Sequence, residues 1–305
     1  MPRAEVIALF GPTGVGKTAV ALALADALRA VGESPVAVSA DALQVYRGLE
    51  VLTGAAGPAE RAQLEHRLLS FLPLDATFSA GQYAELAHAE IDGLRAEGRL
   101  PLVVGGTGLY LRAALTELSL RPPPAAGVRE RWVAELELRG PAALHAELAR
   151  RAPWAAAEIA PEDRQRVVRA LELHESGELE PSPEQSELWT AATRWPTLLI
   201  GLVMQREQLY AATNARVETM VAAGARAEVQ RAHAAGASAT ARQALGFQEL
   251  LAEDVEAMKR RTRNLVRRQL TWMRKLAAVE ILDATDHSPQ ELAERAVALW
   301  LAGDD

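Results

Sequence analysis

The chain has 305 residues, of which 49% are hydrophobic and 24% charged, with a formal net charge of −7 at pH 7. This is the make-up of a soluble globular protein with ample core. The lack of cysteine excludes disulfides, a thiolate zinc site and a cysteine nucleophile. No apolar run approaches the roughly 18 residues of a membrane-spanning helix, and Met1–Glu5 carries no leader pattern, so cytoplasm is the expected compartment.

In chain order, the first apolar run, Val6–Phe10, reads as a buried strand. It leads directly into Gly11-Pro-Thr-Gly-Val-Gly-Lys17-Thr18, a G-x-x-x-x-G-K-T loop, and then an apolar helix, Ala19–Ala30, closed by Gly32. Glycines let such a loop curl so that successive N–H groups point at one oxyanion. Lys17 adds a mobile positive charge, Thr18 offers a hydroxyl to Mg²⁺, and the helix start adds its partial positive charge. A phosphate group is expected here. The loop alone leaves open which phosphate compound binds, and whether the phosphate reacts or leaves.

Further strand-like runs follow at Val36–Ser39, Leu68–Leu72, Leu100–Val104 and Leu198–Val203, with Val279–Leu282 as an edge candidate. Apolar runs alternating with helices predict an α/β fold, a P-loop NTPase-like parallel sheet covered on both faces. Between the fourth and fifth runs, Arg121–Pro124 reads as a stiff linker, Gly127–Ser176 as helices, and Gly177–Ser186 as a polar return. The expected organisation is a P-loop core, residues 1–118 and 197–305, interrupted by an α-helical insertion over 119–196.

The second run ends in Asp41, at the sheet edge where open parallel sheets bind ligands, so its carboxylate is placed to serve as a base or a magnesium ligand. The fourth run ends Gly105-Gly106-Thr107-Gly108 without the aspartate of a standard P-loop hydrolase. Lys259–Lys275 carries eight cations in 17 residues and no acid. One concentrated basic helix on an otherwise acidic chain points to a polyanion held at a defined place, while Leu265, Val266, Leu270, Trp272, Met273 and Leu276 supply an apolar stripe on the same helix. The six histidines, His66, His88, His145, His174, His233 and His287, show no ligand spacing and are expected to serve packing or the surface.

Taken together, the motifs resemble those of the tRNA dimethylallyltransferases, nearly end to end. They are GPTGVGKT at 11–18, SADALQVYRGL at 39–49, HRLL at 66–69, FSAGQY at 78–83, VVGGTGLYL at 103–111, DRQRVVRALE at 163–172, NARVETM at 214–220, RQALGF at 242–247 and TRNLVRRQLTWMR at 262–274. The resemblance implies transfer of a dimethylallyl group from dimethylallyl diphosphate to N6 of the adenosine following the anticodon, with Mg²⁺ as cofactor, tRNA as partner, and no membrane. A monomer is expected. By residue matching, Gly11, Thr13, Gly14, Val15, Gly16, Lys17 and Thr18 receive the diphosphate, Asp41 is the base, and Thr107 and Arg216 approach the reacting centre. Ala42, Leu43 and Gln44 contact the flipped-out base. Arg129, Gln165, Arg166, Val167, Val168 and Arg169, and Arg242, Gln243, Ala244, Leu245, Gly246, Phe247 and Gln248, match positions that touch tRNA.

The residue types suit that chemistry. Adenine N6 is a poor nucleophile, so a carboxylate accepting its proton helps, typically by about 10²–10⁴-fold. The allylic carbon is activated as diphosphate departs, and cations and loop amides stabilise the leaving charge. The chain departs from the family pattern at Ala42, Ala55, Ser70 and Gln248, each losing a polar contact. Three other readings are an isopentenyltransferase of free adenine nucleotides, a nucleotide kinase, and a non-catalytic RNA-binding protein. The long insertion and basic helix exceed what a mononucleotide needs, the missing hydrolase aspartate weighs against the kinase, and simple RNA binding leaves Lys17, Asp41 and Thr107 without purpose.

Overall fold

The computed structural model describes residues 3–121, 125, 127–181 and 187–304. Of the expected proline linker, Pro122, Pro123 and Pro124 lie outside the described residues, as do residues 182–186 of the polar stretch.

Six strands form one sheet: β1 (Val6–Phe10), β2 (Pro35–Ser39), β3 (His66–Arg67), β4 (Leu100–Gly105), β5 (Thr197–Val203) and β6 (Val279–Asp283). Their order is β3-β2-β4-β1-β5-β6 and every pairing is parallel. A parallel sheet is covered on both faces, which is why β1 reads as an unbroken apolar run with every residue buried. Val20, Leu24 and Leu28 of the Lys17–Ala30 helix join Leu292, Ala296 and Trp300 of the Pro289–Leu301 helix and Ile7, Leu9, Ile200 and Leu202 of the sheet in one core. Each fully buried leucine of this kind contributes about 1.5–3 kcal/mol. The Ala80–Ala96 and Gly108–Leu115 helices pack on each other and on β4.

The third strand differs from expectation. It is only His66–Arg67, and the apolar stretch Leu68–Leu72 is not extended. Leu68 (φ 54°) and Ser70 (φ 49°) stand in the left-handed region, which ends strand pairing there. The stretch instead folds onto the loop after β2: Ser70 N–H donates to Gln44 O at 2.8 Å, and Phe71 and Leu72 N–H both donate to Val45 O at 2.9 Å.

The chain divides into two compact units, Met1–Leu118 with Leu188–Asp305, and Ser119–Glu187. The smaller unit ends nine residues before the expected boundary at 196, because residues 188–196 pack with the sheet unit. Arg194 N–H donates to Leu115 O at 2.7 Å, and Trp195 Nε1 donates to Asp92 Oδ1 at 2.9 Å. The smaller unit holds the helices Val128–Arg139, Pro141–Arg151, Pro153–Glu158 and Arg164–Ser176. Prolines open two of them at the position where a missing N–H costs nothing. Trp132, Leu136, Leu144, Leu148, Val167, Val168 and Leu171 make its core.

Candidate active site

The carboxyl ends of β1, β2 and β4 lie side by side in the sheet, so the loops that follow them share one edge. After β1 the chain curls through Gly14 (φ 85°) and Gly16 (φ 93°), conformations that glycine adopts without strain, into the Lys17–Ala30 helix. Lys17 Nζ donates to Gly11 O at 2.8 Å and to Pro12 O at 2.9 Å. Burial and then the nearby Arg216 charge lower its pKa to about 8, while Asp41 pulls in the opposite direction. Thr18 stands on the first turn of the same helix. Its hydroxyl is the hard oxygen donor that a magnesium ion shares with substrate phosphates, so the loop chemistry fits that ion.

After β2, Asp41 uses its two oxygens differently. Oδ1 accepts from the N–H groups of Leu43 (3.0 Å) and Gln44 (3.3 Å), which fixes the turn and the carboxylate's orientation. Oδ2 faces Thr107 Oγ1 at 3.5 Å, the outer limit of a hydrogen bond. Thr107 is the residue before the Gly108–Leu115 helix that follows β4. Arg216 comes from the Arg206–Ala222 helix and donates to Gly54 O at 3.3 Å. Its Nε is buried without a hydrogen-bond partner among the described residues. Burial lowers its pKa, and Asp41 and Glu60 oppose that shift. A Cβ at Gly54 would collide with the guanidinium, so glycine there leaves the space Arg216 occupies. Lys17, Asp41, Thr107 and Arg216 are thus gathered at one sheet edge from four elements.

The residues matched to nucleic-acid contact divide by burial. Gln165, Arg166, Gln243 and Gln248 are exposed, and Arg242 and Leu245 half-buried. Val167 and Val168 are buried in the insertion core, and Ala244, Gly246 and Phe247 are buried in the sheet unit. A β-branched or aromatic side chain inside a core has no surface to offer a ligand. Arg129 holds the fully buried carboxylate of Glu172 through Nε (2.7 Å) and Nη2 (2.8 Å), and Arg169 meets the same carboxylate at 3.1 Å. Ala42, Leu43 and Gln44 are half-buried beside Asp41, with Gln44 Nε2 donating to Thr53 O and Gly54 O at 3.3 Å each.

The basic helix, Val255–Met273, is not uniform. Lys259 pairs with Glu218 (2.8 Å) and Glu256 (2.9 Å), Arg260 with Asp254 (3.7 Å), and Arg261 with Glu249. Further along, Arg263 donates to Asn214 Oδ1 at 2.7 Å, and Arg267, Arg268, Arg274 and Lys275 are exposed. None of these five has a carboxylate partner among the described residues.

Sequence reasoning passed over three groups. Gln269 and Thr213 both touch the main chain of Thr13: the Thr13 N–H donates to Gln269 Oε1 at 2.9 Å, and Thr213 Oγ1 lies 3.4 Å from Thr13 O. Tyr83 and Tyr110 meet in a tilted ring contact with centroids 4.5 Å apart, and Tyr83 Oη donates to Ser39 O at 3.0 Å. Burial raises both phenol pKa values. The signal for Gln269 was present as a polar residue on an apolar stripe, since a buried carboxamide must find partners.

A phosphate loop facing a carboxylate, a hydroxyl and a buried arginine, on a parallel sheet, is the arrangement of a P-loop group-transfer enzyme. The IPP transferase family model matches residues 44–276. The tRNA dimethylallyltransferase of Kineococcus radiotolerans is 42% identical, over 98% of this chain and 97% of that protein. That of Thermobifida fusca is 39% identical, over 96% and 93%. The solved tRNA isopentenylpyrophosphate transferase of Bacillus halodurans has a TM-score of 0.69 at 30% identity, covering 98% of this chain and 97% of that one. The chain belongs to the IPP transferase family, and it is a prenyltransferase. No helix among the described residues is long and apolar enough to cross a membrane.

Proposed function

We infer that the enzyme moves a dimethylallyl group from dimethylallyl diphosphate to N6 of the adenosine following the anticodon of tRNA. The observation that carries this reading is the placement of Asp41 Oδ2 beside Thr107 while its other oxygen is fixed by the turn, at the edge where Lys17 and Arg216 stand. The diphosphate sits in Gly11–Thr18, with Lys17 and Arg216 neutralising the charge that grows on it as the C–O bond breaks. Thr18 would hold a magnesium ion, which would supply further neutralisation of the leaving charge. Asp41 accepts the proton from the amino group as the new C–N bond forms, and Thr107 orients the carboxylate. The adenine must leave its stack to reach a recessed diphosphate, at a cost of a few kcal/mol.

The exposed cations Arg267, Arg268, Arg274 and Lys275, together with Arg166 and Gln165 of the insertion, supply contacts to tRNA phosphates and sugars. Incubation of unmodified tRNA with the protein, Mg²⁺ and dimethylallyl diphosphate, followed by nucleoside mass spectrometry, tests the reading. Isopentenyladenosine is expected. Phosphate released from ATP in step with tRNA modification would overturn it, because diphosphate leaves intact and no P–O bond breaks.

A further inference from the structure

We propose that Gln269 is a positioning residue for the transfer, which ties the phosphate loop to the loop carrying Thr107 and so sets the distance between leaving group and base. The inference rests on the proposed prenyl transfer. Gln269 lies on the Val255–Met273 helix and is only 7% exposed, among Met258, Thr262, Val266 and Met273, which are the other buried positions of that helix. A carboxamide in such a place is costly unless both of its ends are satisfied. Both are, and by different loops. Oε1 accepts from the Thr13 N–H at 2.9 Å, and Nε2 donates to Gly106 O at 2.8 Å.

The two partners belong to the two halves of the reaction. Thr13 lies in the loop that receives diphosphate, and Gly106 precedes Thr107, which faces Asp41. One planar amide group thereby fixes the separation of the loops after β1 and β4. Thr213, one turn before Arg216, lies 3.4 Å from Thr13 O and donates to Leu209 O at 2.6 Å, so the main chain of Thr13 is approached from two helices, at its N–H and at its carbonyl. Gln269 touches none of the reacting atoms in this scheme. It acts through the loops, where a displacement of about 1 Å can cost up to about a hundredfold in rate.

The test uses Gln269→Met, which keeps length and volume but can make neither hydrogen bond. Single-turnover prenyl transfer at saturating substrates is expected to fall about ten- to a hundredfold, with tRNA affinity unchanged, because the exposed cations of the helix remain. A rate equal to that of the wild type overturns the proposal, as does a tRNA affinity that falls by the same factor as the rate. Gln269→Glu gives a second reading if the methionine variant does not fold. It retains the acceptor for Thr13 N–H, loses the donor to Gly106 O, and brings a carboxylate near Lys17. Its affinity for inorganic diphosphate is therefore expected to fall along with its rate, and wild-type values for both would refute the tie. Wild-type protein that transfers nothing to tRNA would instead defeat the reading on which the inference rests, so the two failures are distinguishable.

Discussion

The sheet edge and the helical insertion treat positive charge in opposite ways. At the edge, among the described residues, Lys17 donates to main-chain carbonyls alone, and Arg216 donates to one carbonyl while its Nε has no hydrogen-bond partner. In the insertion, Arg129 and Arg169 close on the buried Glu172, Arg131 on Glu175, and Arg150 and Arg151 on Glu147. Arginine density therefore does not locate an anion site. Cations that no carboxylate closes on as an ion pair do, because they gain a direct charge partner when a phosphate arrives. The basic helix shows both behaviours along its length, paired at Lys259, Arg260 and Arg261 and, among the described residues, without an ion-paired carboxylate from Arg263 onward.

The sharpest way to break this contrast is at the base. Asp41→Ala is expected to lose at least about 10²-fold in single-turnover rate while tRNA affinity stays near wild type, because a base acts on the transition state. A rate close to wild type would remove Asp41 from the chemistry. In the insertion the expected loss is in stability. Arg129→Ala leaves the Glu172 carboxylate buried with less compensation, at a cost of about 2–3 kcal/mol after allowing for the partial exposure of the arginine and the remaining Arg169. Amide hydrogen exchange of the Arg164–Ser176 helix reads this directly, and unaltered protection there would mean the pair is not structural.

Within the basic helix, Arg267→Gln with Arg268→Gln should weaken tRNA binding roughly tenfold and flatten the plot of log K against log salt by close to two charges. Lys259→Gln with Arg260→Gln should leave that slope near wild type, since their charges are already matched by Glu218, Glu256 and Asp254. Equal slopes for the two pairs would dissolve the distinction. The smallest effect concerns pH. The Lys17 pKa of about 8 is below its ordinary value, so raising pH through 8 removes the charge that diphosphate needs. Diphosphate affinity is expected to weaken progressively above pH 8. Stability has the opposite sign: the unfolded chain binds the extra proton between about 8 and 10.5, so the unliganded fold gains from this group across that window.

Much of this was legible in the residues themselves. Val6–Phe10 followed by Gly11–Thr18 specified a strand, a phosphate loop and a helix, because that spacing has one mechanical use, and the structure forms them there. Local pattern failed where long-range partners decide. Leu68–Leu72 has strand composition but folds back onto Val45, with Leu68 and Ser70 at positive φ. Val167 and Val168 sit in a motif shared with a tRNA-binding family yet face the insertion core. The neutralisation of the basic run's first three cations was only half legible, since Asp254 and Glu256 stand just upstream but Glu218 and Glu249 come from other helices. Gln269 was visible only as an out-of-place polar residue on an apolar face.

The contrast between unmatched and matched cations is tested most directly by calorimetric titration of inorganic diphosphate, with Mg²⁺, into wild type, Lys17→Ala and Arg129→Ala. Wild type and Arg129→Ala are expected to bind alike, and Lys17→Ala to lose most of its affinity. Undiminished binding by Lys17→Ala, or a comparable loss in Arg129→Ala, would contradict the assignment of the diphosphate to the sheet edge.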